Sequence, residues 1–289
     1  MSNINLIVGY GDIGERIAFL LLAKQQRVIA IARHSETHQT YAGQIEIQSA
    51  DLDIPQSLPS FTSEIDCIFF LAPTPQQGQT ETRVENFLQT LAANNNIPRK
   101  ILYISTTGVY GDCGGRWIDE DEPVKPISDR AIRRLDAEKK LCTWCGQHSS
   151  VLITLRVSGI YGPGRLPIER IRQGMLLVNE TEAPPSNRIH SDDLAQICVA
   201  AAEKITTNSV FNVADGSPSS MTDYFSQVAE FAGLPQPPQL SWEEAQYRLS
   251  PQMLSFLKEP KRIKISKIIN ELGFSPQFPN LAQGLPHSS

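Results

Sequence analysis

Long apolar runs are missing from this chain, and none approaches the ~20 residues that a bilayer-spanning helix requires. A basic block is missing as well: 26 Lys and Arg face 31 Asp and Glu, for a net charge of −5. That balance argues against nucleic acid and against an anionic membrane surface as partners. Cysteine is scarce and odd in number. Cys67, Cys113, Cys142, Cys145 and Cys198 are scattered along 289 residues, which argues against a disulfide framework and for reduced thiols in a cytoplasmic protein. Internal repeats and low-complexity segments are absent. The N-terminus runs straight into a candidate strand, so no signal peptide is expected. What is present, 40% apolar and 20% charged residues, is ordinary for a globular chain of one large domain or a domain plus a smaller lobe.

Cys142-x-x-Cys145, with His148 three residues on, invites a metal reading. No second Cys or His pair completes a tetrahedral set, so no metal is expected and both cysteines read as small packing residues.

The most informative stretch is Ile4 to Gly14. Ile4, Leu6, Ile7 and Val8 read as a buried strand, and Gly9-Tyr10-Gly11-Asp12-Ile13-Gly14 matches G-x-G-x-x-G. A helix pattern follows, with Ile13, Ile17, Leu20 and Leu21 on one face. In that context Gly9 permits a tight turn, Gly11 lets the backbone approach a pyrophosphate, and Gly14 lets helix and strand pack closely. The phosphates then meet the positive end of the helix. The alternative is a tight turn with no ligand.

Arg27 to Ala32 reads as a second strand, ending at Arg33-His34-Ser35. NAD-binding folds place a carboxylate near this point to bond the ribose hydroxyls. Here Arg33 and Ser35 stand instead, a cation and a donor suited to a 2′-phosphate, which selects NADP(H) over NAD(H). A solvated surface arginine is the competing reading. Further strands are expected at 44–47, 66–72 and 101–104, with a helix over 79–94. Asp51 and Leu52 follow the third strand and are placed to border an adenine. Ala72 and Ser105 lie at strand carboxyl ends, where such sheets bind ligands. Strands alternating with helices at this spacing predict an α/β fold, a doubly wound parallel sheet of Rossmann type.

Later motifs sharpen this. Ser105-Thr106-Thr107-Gly108-Val109-Tyr110-Gly111 and Leu155-Arg156-Val157-Ser158-Gly159-Ile160-Tyr161-Gly162-Pro163-Gly164 follow the glycine motif in order. Arg188-Ile189-His190-Ser191-Asp192-Asp193-Leu194-Ala195 and Phe211-Asn212-Val213-Ala214-Asp215-Gly216 come next. Together they resemble the extended short-chain dehydrogenase/reductases, the NAD(P)-dependent epimerase/dehydratase group, over nearly the whole chain. The resemblance implies cofactor contacts at Gly9 to Gly14, Ala72, Ser105 and Gly159, and substrate contacts at Tyr110, Tyr161 and Arg188. It also implies a homodimer through the helices near 79–94 and 128–145. For Arg188 a structural ion pair is the competing reading. His190 reads as a hydrogen-bonded spacer, and Asp192 and Asp193 as caps of the helix that follows.

The family's chemistry uses a Ser or Thr after the fifth strand and a Tyr-x-x-x-Lys on the next helix. Thr106 matches the hydroxyl, although a threonine there can also cap a turn. The helix departs from type. Aligned on Glu138, Arg130 stands where the tyrosine belongs and Arg134 where the lysine belongs, and no tyrosine occurs between Tyr110 and Tyr161. An arginine, with a pKa above ~12, cannot trade protons near neutrality. Arg130 and Arg134 can instead hold an anion or polarise a carbonyl, or can form an ion-paired helix face, Arg134 with Glu138. The pattern resembles an atypical subgroup that lacks this tyrosine.

Two function classes follow. One is an NADP(H)-dependent oxidoreductase or epimerase acting on a hydroxyl or carbonyl of a small substrate of nucleotide-sugar type. The other is a catalytically impaired NADP(H)-binding protein. The expected division is 1–164 plus 188–216 for the nucleotide-binding domain, and 165–187 plus 217–289 for a smaller C-terminal α/β substrate lobe. In that lobe a helix is expected over 222–232 and another over 242–257. Lys261 and Arg262 are read there as a solvated strand edge.

Overall fold

A computed structural model describes residues 4–34, 43–61 and 64–288. Ser35 lies outside the described residues. The chain opens with β1 (Ile4–Val8), α1 (Asp12–Ala23), β2 (Arg27–Ala32), β3 (Ile45–Ser49), β4 (Ile65–Phe70), α2 (Thr82–Ala93) and β5 (Lys100–Thr106). A two-residue strand β6 (Trp117–Ile118) precedes the long helix α3 (Asp129–His148) and β7 (Val151–Val157). Then come β8 (Gly159–Tyr161), α4 (Ile168–Arg172), β9 (Leu177–Val178), β10 (Pro185–Ser186), β11 (Arg188–His190), α5 (Ser191–Lys204) and β12 (Ser209–Val213). The last stretch holds β13 (Ser219–Ser220), α6 (Met221–Phe231), β14 (Gln239–Leu240), α7 (Trp242–Arg248), α8 (Pro251–Leu257), β15 (Arg262–Ile263), α9 (Ser266–Leu272) and α10 (Leu281–Gly284).

Seven strands form one sheet in the order β12-β7-β5-β4-β1-β2-β3. β3, β2, β1, β4 and β5 pair parallel in succession. Chain order reverses between β1 and β4, the switch point at which doubly wound sheets open a ligand crevice. The register brings Val8 level with Ile31 on one side and Phe70 on the other. β1 is buried along its whole length and β4 nearly so, as expected for parallel strands covered on both faces. α1 buries Ile13, Ile17, Ala18 and Leu21, a stripe with helical spacing. α2 buries Val84, Phe87, Leu88 and Leu91, and the Glu81 carboxylate caps its start by accepting from Arg83 N and Val84 N.

Two compact units divide the chain: 1–109, 129–156 and 194–211 in the first, and 110–128, 157–193 and 212–289 in the second. The sequence expectation places 110–128, 157–164, 188–193 and 212–216 with the nucleotide-binding part; the backbone packing groups them with the second unit. Short pairings explain this. β8 pairs with β11, and β6 pairs with β15 near the C-terminus, both parallel. The second unit has its own apolar clusters, one around Tyr161, Tyr224, Phe225 and Leu281, another around Val178, Leu240, Met253 and Leu257.

The single helix expected over 242–257 is two, α7 and α8. Ser250 caps α8 by accepting from Met253 N, and Pro251 occupies its first position, so the chain must break there. Among the described residues no helix is long and apolar enough to cross a membrane.

Candidate functional site

In the first unit, Gly9, Gly11 and Gly14 face different surroundings. Gly9 sits at φ +92, and a Cβ there would lie 2.6 Å from Ala72 N and 2.7 Å from Ala72 Cα. Its N–H and that of Tyr10 both donate to Ile31 O, at 3.1 and 3.0 Å, which pins the turn to the end of β2. A Cβ at Gly14 would come within 3.1 Å of Ile7 Cγ2 and 3.3 Å of Gly9 O, so this glycine serves helix–strand contact. Gly11 differs from both. A Cβ there would meet nothing within 4 Å. Gly11 is exposed and is the N-cap of α1, with extended backbone and no side chain capping the first turn. The unit therefore presents an uncapped twelve-residue helix N-terminus behind a gap that a side chain would fill, which suits an anion.

Around this turn, Tyr10, Ile13 and Ala72 are buried. Asp12 pairs with Arg16 at 2.8 Å. Arg33 is exposed at the end of β2, its carbonyl accepting from Ser49 Oγ at 3.1 Å. Asp51 caps its own turn, Oδ1 accepting from Asp53 N at 2.9 Å. Leu52 is buried, and its carbonyl accepts from Asn86 at 2.8 Å. Arg83 grips Asp53 with two bonds of 2.9 and 2.6 Å, which holds that carboxyl below the usual carboxylate range.

At the carboxyl ends of β4 and β5, Arg134 Nη1 donates to Ile104 O at 2.7 Å, Tyr103 Oη at 3.1 Å and Ala72 O at 3.4 Å. The Arg134–Glu138 pair considered from the sequence is replaced by these bonds. Glu138 instead forms a buried cluster across three elements, accepting from Ser105 Oγ at 2.5 Å and from Arg156 at 2.8 and 3.3 Å. Ser105 is itself buried and gives its hydroxyl to that cluster. Thr106 is half-buried, its Oγ1 accepting from Gly108 N at 3.2 Å, the turn-capping bond. Arg130, one turn before Arg134, is exposed. Tyr103 is fully buried, and burial pushes its phenol up to about 12.

In the second unit, the two tyrosines expected to contact substrate are both buried. Tyr161 is wholly enclosed; its ring meets His190 edge-on at 5.2 Å, and its hydroxyl donates to Asn280 O at 3.3 Å. Burial raises its phenol far above the ordinary range. Tyr110 is 1% exposed and donates to Asn212 Oδ1 at 2.8 Å. Both phenols are therefore buried with their hydroxyls satisfied inside the protein. Arg188 lies over the Tyr224 ring at 4.5 Å and donates to Ser186 Oγ at 2.6 Å and Asn187 O at 3.0 Å. Gly159 is exposed, and a Cβ on it would strike Arg188 Nη1 at 2.9 Å. Asp193, expected to cap α5, is buried, and its two oxygens accept from Gln277 N at 2.9 Å and Phe278 N at 3.0 Å. Lys261, read as a solvated edge, is buried and donates to Glu259 O at 2.8 Å. Cys145 belongs to a core cluster, and His148 stacks on Trp144 at 4.2 Å. Among the described residues no group of His, Cys, Asp and Glu is arranged to hold a metal.

The model of the NAD-dependent epimerase/dehydratase family matches residues 6–214, well over half of the chain. The chain belongs to this family. Protein YeeZ of Escherichia coli K12 is 25% identical over 290 residues, covering 95% of this chain and 96% of that one. A conserved protein of unknown function from Silicibacter pomeroyi has a structure that superposes with TM-score 0.83 at 28% identity, covering 98% and 97% of the two chains. The UDP-glucuronic acid 4-epimerase from Bacillus cereus, solved with UDP-glucuronic acid and NAD, shares the fold with TM-score 0.78 at 20% identity, covering 99% and 97%.

Two features of this epimerase/dehydratase-family protein escape a reading of its sequence. Arg133, next to the two arginines that the alignment singles out, is 6% exposed, with Nη1 donating to Gly78 O and Nε to Thr74 Oγ1 at 3.4 Å. Asp215 is buried with Oδ1 accepting from Ser217 N at 2.9 Å, while Oδ2 meets no partner among the described residues. Burial raises that carboxyl to about 7. Arg133 falls on the helix face that would have marked it as buried, a signal usable beforehand; nothing in the sequence marks Asp215.

Proposed function

We propose that this protein binds a nicotinamide dinucleotide, NADP(H) over NAD(H), and acts as an oxidoreductase or epimerase on a hydroxyl or carbonyl of a small substrate. The observation that carries the cofactor reading is the contrast between Gly11, open, and Gly9 and Gly14, packed. The uncapped start of α1 receives the pyrophosphate, and Asp51 and Leu52 border the adenine. Arg33 favours the 2′-phosphate, since it is exposed at the β2 end where NAD-selective folds carry a carboxylate. When bound, the cofactor supplies hydride transfer. Thr106 orients the substrate oxygen, and exposed Arg130 binds an anionic group of a substrate of nucleotide-sugar type. Arg134, tied to two carbonyls and a phenol, is a fixed cation at the strand ends. The groove of about 610 Å³ between α2 and α3, lined by Leu88, Ala92, Lys139, Trp144 and His148 among others, supports a homodimer through these helices.

A second reading, cofactor binding without turnover, is favoured by the absence of any tyrosine from 111 to 160. NADPH fluorescence titration followed by a screen of carbonyl substrates separates the two. Tight binding with no NADPH oxidation on any class, and no effect of Thr106→Ala, would leave only the second. Arg33→Ala is expected to weaken NADPH much more than NADH; equal weakening would remove the NADP assignment.

A further inference from the structure

The second unit carries an open surface groove of about 670 Å³, within the size range of small-molecule sites. Trp242, Pro184, Leu257 and Pro260 supply apolar wall, and Asp112, Glu182 and Lys258 supply charge. The wall is built rather than loose. Cys113 N and Gly115 N both donate to Pro260 O, at 3.2 and 3.0 Å, which fixes the Asp112 segment against the Lys258 segment. Glu182 Oε2 accepts from Trp242 N and from Asn179 Nδ2, each at 3.2 Å. Asp112 Oδ1 accepts from Gly114 N at 2.7 Å. The other oxygen of each carboxylate, and Lys258 Nζ, make no hydrogen bond among the described residues. Two carboxylates and one ammonium, all exposed, and a half-buried indole thus line one open groove with a charge of −1.

A diphosphate suits such a lining badly, because two carboxylates would face it with one cation to offset them. An ammonium suits it well: carboxylates accept its protons, and an indole face attracts it. Lys258 then asks for a carboxylate on the same molecule. We propose that this groove binds a small zwitterion with an apolar body, its ammonium on Asp112 and Glu182 and its carboxylate on Lys258. This site does not depend on the cofactor reading.

Calorimetric titration of the full chain with four probes tests it: L-phenylalanine, phenethylamine, 3-phenylpropionate and UDP. Phenylalanine is expected to bind most tightly, phenethylamine next, and 3-phenylpropionate and UDP not measurably. Glu182→Gln keeps the acceptor for Trp242 N while removing the charge, and is expected to weaken phenylalanine about tenfold without moving the melting temperature. Asp112→Asn should do the same, and Lys258→Gln should reduce phenylalanine to the level of phenethylamine. Binding of 3-phenylpropionate or UDP as tight as that of phenylalanine would overturn the proposal. So would indifference to both carboxylate variants, or no saturable heat with any probe at concentrations on the order of 10 mM.

Discussion

Replacing glycines one at a time in the turn between β1 and α1 should separate folding from cofactor binding. At Gly9 a methyl group would sit 2.6 Å from a backbone nitrogen, in a backbone conformation of φ +92. The left-handed conformation alone costs roughly 1–2 kcal/mol for a residue with a Cβ, and the overlap with Ala72 adds to it. Gly9→Ala should lower the melting temperature by about 10 °C, at about 2–4 °C per kcal/mol. At Gly11 the backbone angles, φ −122 and ψ −163, suit any residue, and nothing lies within 4 Å of a Cβ. Gly11→Val therefore costs the free protein no more than about 1 kcal/mol, the usual penalty of an apolar N-cap. The same side chain fills the space in front of the α1 N-terminus, and an overpacking cost of about 1–3 kcal/mol is a tenfold to hundredfold loss of NADPH affinity. Thermal melts with and without NADPH, together with fluorescence titration, read both quantities. The reasoning fails if Gly11→Val binds NADPH as tightly as the parent, or if it melts as low as Gly9→Ala.

Three further outcomes are expected. Asp215 has a folded-state pKa of about 7 against an ordinary 3.8, so the native protein keeps a proton that the unfolded chain has lost between those values. Stability should fall as pH rises from about 4 to about 7, by up to about 4 kcal/mol, and Asp215→Asn should flatten that slope; parallel melting curves for the two proteins would rule this out. Arg156→Met strands the buried Glu138 carboxylate and should cost about 3–5 kcal/mol, whereas adding Glu138→Met should recover much of the loss; strictly additive melting shifts would contradict a coupled pair. Arg134→Ala leaves two strand-end carbonyls and the Tyr103 hydroxyl without their donor and should cost about 1–3 kcal/mol, while Arg130→Ala should cost under about 0.5 kcal/mol. Equal melting shifts for these two arginines would refute the distinction between a structural and an exposed cation.

The sheet was legible because its strands are short apolar runs between glycine and proline punctuation, and because β1, β2 and β4 carry few polar residues to confuse the pattern. The glycine turn was legible for the same reason: three glycines at fixed spacing leave few alternatives. Burial and hydrogen-bond partners were not legible where they depend on residues distant in the chain. Tyr110 and Tyr161 sit in motifs that suggest a substrate, yet their hydroxyls are satisfied by Asn212 and by the Asn280 carbonyl, 102 and 119 residues away. Lys261 looks like an exposed edge cation because alternation suggests it, whereas tertiary packing encloses it. The break between α7 and α8 was readable, since Ser250-Pro251 is a helix start signal in the middle of an apolar stretch.

One seam in the first unit carries a consequence for how the chain can vary. Asp129, Arg133, Asp136 and Lys140 follow one another along α3 at steps of four, three and four, and each reaches the segment after β4: Gln79 at 2.8 Å, the Gly78 carbonyl, Glu81 N at 2.7 Å and the Glu81 carbonyl at 2.8 Å. The four bonds share one helical phase. Changing any one side chain leaves the bonds of the other three to hold the segment. Inserting or deleting one residue before Asp129's partners along the helix rotates the rest by about 100° and removes them together. Homologous chains should therefore differ freely in the identity of these residues but not in the length of this helix, so the segment after β4 tolerates substitution and resists insertion.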